Sequence, residues 1–209
     1  MQELTALAGI AAALALGAAS PGPSFVLVAR TAAASSRAQG VAAALGMGLG
    51  GLVFALAALA GLQALLLALP SLYLALKLAG GLYLAYLGIR IWRGAGQARL
   101  DLGPALGGAR ASRPFLLGLV TQLSNPKTAI VYASVFAAFL PAQSTPVFKL
   151  AVAATVFVIE AGWYSLVALA LSTTAPRQAY LRYQVWVDRA AGGVMVALGL
   201  KLAVAAQRP

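Results

Sequence analysis

Of the 209 residues, 62% are hydrophobic and only 9% are charged, against roughly 25% charged in a soluble domain. There is no cysteine and no histidine, which excludes disulfides and nearly every transition-metal site; no metal and no cofactor is expected. The net charge of +11 points to basic loops at a membrane surface rather than to nucleic acid, because membrane proteins gather Lys and Arg in their cytoplasmic loops.

The first expected span runs from Leu4 to Val28. No basic segment precedes it, so it does not read as a secretory signal. It is broken by Pro21-Gly22-Pro23. Ser20 or Gly22 suits the cap of a new helix there, with Pro21 or Pro23 at its first position. Arg30 and Arg37 then mark an interface. The second span, Val41 to Leu69, opens with Gly46, Gly48, Gly50 and Gly51, small residues of the kind that let helix backbones approach closely. The third, Leu72 to Trp92, follows a turn at Pro70-Ser71. A basic, glycine-rich loop is expected from Arg93 to Arg113. It has no interleaved aromatic residues on which nucleic-acid bases would stack.

The fourth span, Phe115 to Leu140, contains Ser124-Asn125-Pro126-Lys127. Asparagine is a preferred N-cap and proline suits the first helical position. The motif therefore reads as the start of a second half-helix within the membrane. The fifth span is expected from Val147 to Ser172, then a second basic loop with Arg177, Arg182 and Arg189, then a sixth span from Trp186 to Ala206.

The reading is an all-α membrane protein of six helices. Residues 1–93 form one three-helix unit, 94–113 a basic cytoplasmic loop, and 114–209 a second unit. Ten arginines fall in the first, third and fifth loops, while the other face has only Lys149, Lys201 and Arg208. The positive-inside rule then places both termini outside the cytoplasm. The two units look like copies. Lys77-Leu78-Ala79-Gly80-Gly81 before Leu87-Gly88 resembles Arg189-Ala190-Ala191-Gly192-Gly193 before Leu198-Gly199, and the first and fourth spans share a proline break. A unit with an odd number of spans must be inverted in its second copy. Inverted repeats with broken helices are a transporter pattern, with substrate bound near the midplane.

Glu160 is the only acid deep inside an expected span, Asp188 lying at the start of the sixth, and Lys127 is the only base near mid-membrane. Intramembrane ionisable groups are usually functional. One reading is a structural ion pair joining spans four and five. The other is a site for a zwitterion. Its carboxylate would face Lys127 and the positive N-termini of the half-helices at Pro21, Gly22, Pro23, Ser24, Asn125 and Pro126. Its ammonium would face Glu160, which could instead carry a proton. Burial and a neighbouring lysine act in opposite senses on that carboxyl, so the sequence leaves its charge state open. Trp163 and Tyr164 share a helical face with Glu160; they either wall a cation site or pack between helices, packing being the simpler role. Thr121, Gln122, Asn125, Thr128 and Tyr132 either line a pathway or satisfy carbonyls freed by Pro126. No GxxxxGK[ST] loop is present, so pumping would need an ion gradient or a partner subunit. Ser124 with Lys127 as a hydrolase pair is set aside, since Asn125-Pro126 already accounts for that segment.

These motifs resemble the lysine exporter and homoserine/threonine resistance (LysE/RhtB) family of small amino-acid exporters, and within it the threonine exporters. The resemblance rests on Ser20 to Pro23, Leu72 to Gly88, and Phe115 to Leu119 leading into Asn125-Pro126-Lys127. It continues through Ile159-Glu160 with Trp163-Tyr164, and Trp186 to Arg189 leading to Leu198-Gly199. Ser24 stands where some members carry Asp or Asn, and Gly51 and Phe54 where many carry a polar residue. The resemblance implies export of a small neutral amino acid, driven by protons, across a bacterial cytoplasmic membrane. Another small cationic or toxic solute is the alternative cargo, and a non-transporting scaffold the alternative class. The glycine-rich faces permit a homodimer without requiring one.

Overall fold

A computed structural model describes residues 2–20, 22–62, 70–95, 112–141 and 143–206, and among them the chain is helical with no strand. Pro21, the far end of the second expected span at 63–69 and most of the expected basic loop lie outside the described residues. In chain order the elements are α1 (Gln2–Ala19), α2 (Pro23–Ala34), α3 (Arg37–Ala57), α4 (Pro70–Arg93), α5 (Ser112–Ser124), α6 (Pro126–Phe139), α7 (Pro146–Leu171) and α8 (Thr174–Ala206). A π turn, Ala58–Leu62, prolongs α3.

Both expected breaks are present. Gly22 caps α2 in an extended conformation, with Pro23 opening the helix. Of the two caps the sequence allowed, the chain uses Gly22. Asn125 caps α6, its side chain accepting from Lys127 N, with Pro126 next. Two boundaries differ from expectation. The helix after the first break runs on to Ala34, beyond Val28. The segment expected as a second basic loop is the first part of α8. Its composition explains this. From Arg177 onward there is no proline before the end of the helix, and Pro176 sits in the first turn, where its missing donor is not needed. A hydropathy window finds where a helix enters lipid, not where it begins.

Among the described residues, three helical segments are long and apolar enough to cross a membrane: Gln2–Ala19, Arg37–Gly61 and Pro146–Leu171. Large apolar side chains face outward along several helices, among them Val53, Leu56, Leu116, Val120, Val158 and Leu166. Such a surface suits lipid and would be an aggregation hazard in water.

The helices pack through small residues. α4 lies most extensively on α8, and α3 on α7 and α5. A methyl group on Gly118 would collide with the Ala43 carbonyl, and one on Gly46 with the Phe115 carbonyl. α3 and α5 therefore run in the same direction at backbone contact. α4 and α8 run in opposite directions: a Cβ on Gly88 would stand 2.6 Å from the Gly192 carbonyl, a Cβ on Gly192 2.6 Å from the Gly88 carbonyl, and one on Gly199 2.5 Å from that of Gly81.

Two apolar cores result. One joins Ile10 and Leu14 of α1, Leu84 of α4, Val135 and Phe136 of α6, Val152 and Val156 of α7, and Met195 of α8. The other joins Phe25 and Val28 of α2, Ala43 and Met47 of α3, and Val167 and Leu171 of α7. On α7 the side chains of the first core end at Val156 and those of the second begin at Tyr164, with Glu160 between them. A polar layer is thus held midway along the helices, between two greasy ones.

Candidate functional site

The break between α1 and α2 faces the break between α5 and α6. A narrow cleft at this junction, partly open to the outside, is lined by residues of both. The first break contributes Gly17, Ser20, Gly22 and Ser24, and the second contributes Asn125, Lys127 and Thr128. Tyr132 of α6 and Glu160 and Tyr164 of α7 complete the polar wall, against Leu14 and Val131.

The residues the sequence pointed to are mostly here. Gly22, Ser24, Asn125, Lys127, Glu160 and Tyr164 share the one cleft. Pro23 opens α2 but its side chain is exposed. Trp163 does not line the cleft; it packs against the second apolar core, and its Nε1 has no hydrogen-bond partner. A step of one residue turns a helical side chain by about 100°, which separates Trp163 from Tyr164.

Lys127 is not in an ion pair with Glu160. Its Nζ donates to the carbonyls of Ser20 at 2.6 Å and Gly17 at 3.2 Å. These belong to the end of α1, where the last carbonyls of a helix lack intrahelical partners. The lysine of the second break thus holds the open end of the first. Sequence reasoning missed this contact because backbone carbonyls carry no residue signature; the proline break was the only sign that such groups would be free.

Glu160 is only 3% exposed and both its oxygens are bonded. Oε1 accepts from the Tyr132 hydroxyl at 2.9 Å and Oε2 from Gln122 Nε2 at 3.0 Å. The Tyr132 ring is flanked by Phe54 and Phe136, at 5.5 and 6.0 Å between centroids, which fixes its hydroxyl on the carboxyl. Gln122 Oε1 accepts from Ser24 Oγ at 2.7 Å, and Ser24 Oγ accepts from Asn125 Nδ2 at 2.9 Å. Gln122 and Tyr132, read from sequence only as part of a polar face, are the two donors that hold the carboxyl. The position of Gln122, one helical turn before the asparagine cap, was the signal for it.

Chemically, the cleft joins two half-helix N-termini and a lysine ammonium to a lone carboxyl, in a layer shielded by apolar cores. It has neither a nucleophile with its base nor a metal cluster among the described residues. It is equipped to hold a small polar solute or a proton rather than to break a covalent bond.

Residues 15–206 match the model of the LysE type translocator family. The chain is 33% identical over 187 residues to the threonine efflux protein of Escherichia coli (strain K12), covering 88% of this chain and 91% of that one. It is 30% identical over 190 residues to an uncharacterized membrane protein of Haemophilus influenzae, covering 89% and 90%. Over a shorter stretch, 126 residues or 60% of the chain and 59% of the relative, it is 32% identical to the leucine efflux protein of an Enterobacter species. No solved structure matches it. With the family model covering nearly the whole chain, from before the first helix break to the end of α8, the protein belongs to the LysE type translocators and is a transport protein, not an enzyme.

Proposed function

We propose that the protein exports small neutral amino acids of the threonine and homoserine type across the bacterial cytoplasmic membrane, in exchange for protons. The observation that carries this reading is the joint cleft, where α2 and α6 present their N-termini beside Lys127 while Glu160 closes the far side. A zwitterion matches that polarity. Its carboxylate is drawn to the positive helix ends and the ammonium of Lys127, and its own ammonium to Glu160. Similarity to threonine efflux proteins over most of both chains supports the cargo class. Pro21 belongs to the same break by sequence. Ser24 in the first turn of α2 and Asn125 at the cap of α6 position the substrate, and Tyr164 adds a wall.

The working architecture is six spans in two inverted units, with both termini outside the cytoplasm. Support comes from the α4–α8 crossing. Gly81 and Gly88 are seven residues apart, as are Gly192 and Gly199, and the crossing pairs Gly81 with Gly199 and Gly88 with Gly192. Exchanging the two units maps this set of contacts onto itself, as a two-fold axis between inverted copies requires. In such a frame the halves rock about a fixed site. In this exchange Glu160, held by partners on α5 and α6, takes up a proton when the substrate ammonium leaves.

The test is efflux of labelled threonine from preloaded proteoliposomes, with and without an imposed proton gradient, for wild type, Lys127→Ala and Glu160→Gln. Gradient-driven efflux is expected from wild type and is lost in both variants while they remain inserted. Absence of threonine, homoserine and leucine efflux from the wild type removes the cargo assignment. Unchanged pH dependence in Glu160→Gln removes the proton role.

A further inference from the structure

Gln122 is fully buried and stands between two partners that belong to different parts of the fold. Its Nε2 donates to Glu160 on α7, and its Oε1 accepts from Ser24 in the first turn of α2. A primary amide has nearly the same shape at both ends but opposite hydrogen-bonding character. An ionised Glu160 only accepts, so Gln122 must turn Nε2 toward it. That leaves Oε1 for the Ser24 hydroxyl, as observed.

Protonation of Glu160 on Oε2 changes the sense of this chain. The carboxylic acid now donates, while the Tyr132 hydroxyl still donates to Oε1. The better partner for the acid is the amide oxygen, and a half-turn of the Gln122 amide supplies it without moving a helix. Nε2 then faces Ser24 Oγ and donates to it. Ser24 Oγ already accepts from Asn125 Nδ2, so with both lone pairs used its own hydrogen must find another acceptor. The Tyr164 hydroxyl of α7 lies beside it. Hydrogens balance: one proton enters from the cleft onto Oε2, the amide keeps both of its hydrogens, and the Ser24 hydrogen rotates.

We propose that Gln122 is a positioning residue that converts protonation of Glu160 into a reversal of its own hydrogen bond with Ser24, which turns the Ser24 hydrogen from α5 to α7. This rests on the reading that Glu160 carries the transported proton. Ser24 of the first helix break donates to α5 in the ionised state and to α7 in the protonated state, which is the kind of local change that biases a two-state transporter. The other groups facing Glu160 do not substitute for it. Lys127 and Tyr132 come from α6 and Tyr164 from α7 itself. Asp188 of α8 acts on Lys127, and Gly51 of α3 and Ser24 of α2 bring no charge.

The experiment is labelled-threonine efflux from proteoliposomes across acidic to alkaline pH, each profile normalised to its own maximum, for wild type, Glu160→Gln, Gln122→Met and Ser24→Ala. Wild type is expected to change by about threefold per pH unit across its midpoint, steepening toward about tenfold per unit on the limb beyond it, the limit for one proton. Gln122→Met and Ser24→Ala both lose most of that slope. If Glu160→Gln keeps the wild-type profile, the proton reading itself fails and the relay fails with it. If Glu160→Gln flattens the profile while Gln122→Met and Ser24→Ala retain the wild-type slope, the relay is overturned and the proton reading stands. A packing role for Gln122 lowers the rate at every pH without changing the shape, which also overturns it. Should Gln122→Met not insert, Ser24→Ala, which removes a single oxygen, decides the question alone.

Discussion

A single methyl group added at Gly51 tests whether the carboxyl of Glu160 depends on its exact setting. A Cβ there would stand 2.7 Å from the Tyr132 hydroxyl oxygen and 2.9 Å from Glu160 Cγ, with Val156 Cγ1 at 3.5 Å behind them. The first two are closer than real Cβ contacts come, so both side chains must give way. They are the partners of one hydrogen bond. Alanine suits the interior of α3 better than glycine, by about 0.5–1 kcal/mol. Overpacking opposes this with about 1–3 kcal/mol. Weakening a bond to a charged carboxyl adds a further loss, such bonds being worth about 1.5–3 kcal/mol. The steric and hydrogen-bond terms win.

Gly51→Ala is therefore expected to lose about 2 kcal/mol, read as a fall in Tm of about 4–8 °C for a chain of this size, and to lose threonine efflux more than its stability explains. Gly162→Ala is the control. It lies on the exposed side of α7, two residues from Glu160, and an added Cβ there meets nothing within 4 Å. It should gain slightly in stability and keep its efflux. Melting curves in detergent and efflux from proteoliposomes give both readouts. Wild-type stability and efflux in Gly51→Ala would refute the claim that close packing at this glycine sets the carboxyl.

Lys127→Met removes the donor to the Gly17 and Ser20 carbonyls. Each buried acceptor left unpaired costs about 1–3 kcal/mol. Melting temperature and efflux should fall together, and a variant as stable as wild type would show that water satisfies the end of α1 unaided. Glu3 accepts from the backbone N and hydroxyl of Thr145, the cap of α7. Glu3→Ala should lower stability by about 1 kcal/mol per bond at most, less where solvent competes. Combined with Thr145→Val the losses should be less than additive, because the pair acts as one unit; additive losses in the melting curves would mean that the two residues act separately.

The sequence was most legible where a residue's chemistry limits the backbone. Pro23 and Asn125-Pro126 announced helix starts because a proline has no donor to give and an asparagine supplies an acceptor to the next turn. Glu160 stood out because no other acid lies deep within an expected span. Rotation about a helix was harder to read. Trp163 and Tyr164 are adjacent, yet one packs into an apolar core and the other lines the cleft. The start of α8 was misread because Arg177 and Arg182 suggest a loop to a hydropathy scale, although nothing between Pro176 and Ala206 breaks a helix. The ion pair of Lys127 with Glu160 was one of two readings the sequence allowed; the carbonyls that hold the lysine instead have no letter in the sequence.

That contact also explains why the two breaks occur together. A broken helix exposes carbonyls at the end of its first half and N–H groups at the start of its second. In lipid neither set can be left to water. At the second break the asparagine side chain satisfies the Lys127 N–H. At the first, Gly22 offers no side chain, and its cap carries no side-chain hydrogen bond. The compensation comes from across the cleft: Lys127 serves the carbonyls of α1, and Asn125 and Gln122 hold Ser24 of α2. The first break is thus incomplete without the second. In the proposed exchange of substrate for protons, movement of one half against the other trades these bonds for bonds to the substrate and the proton.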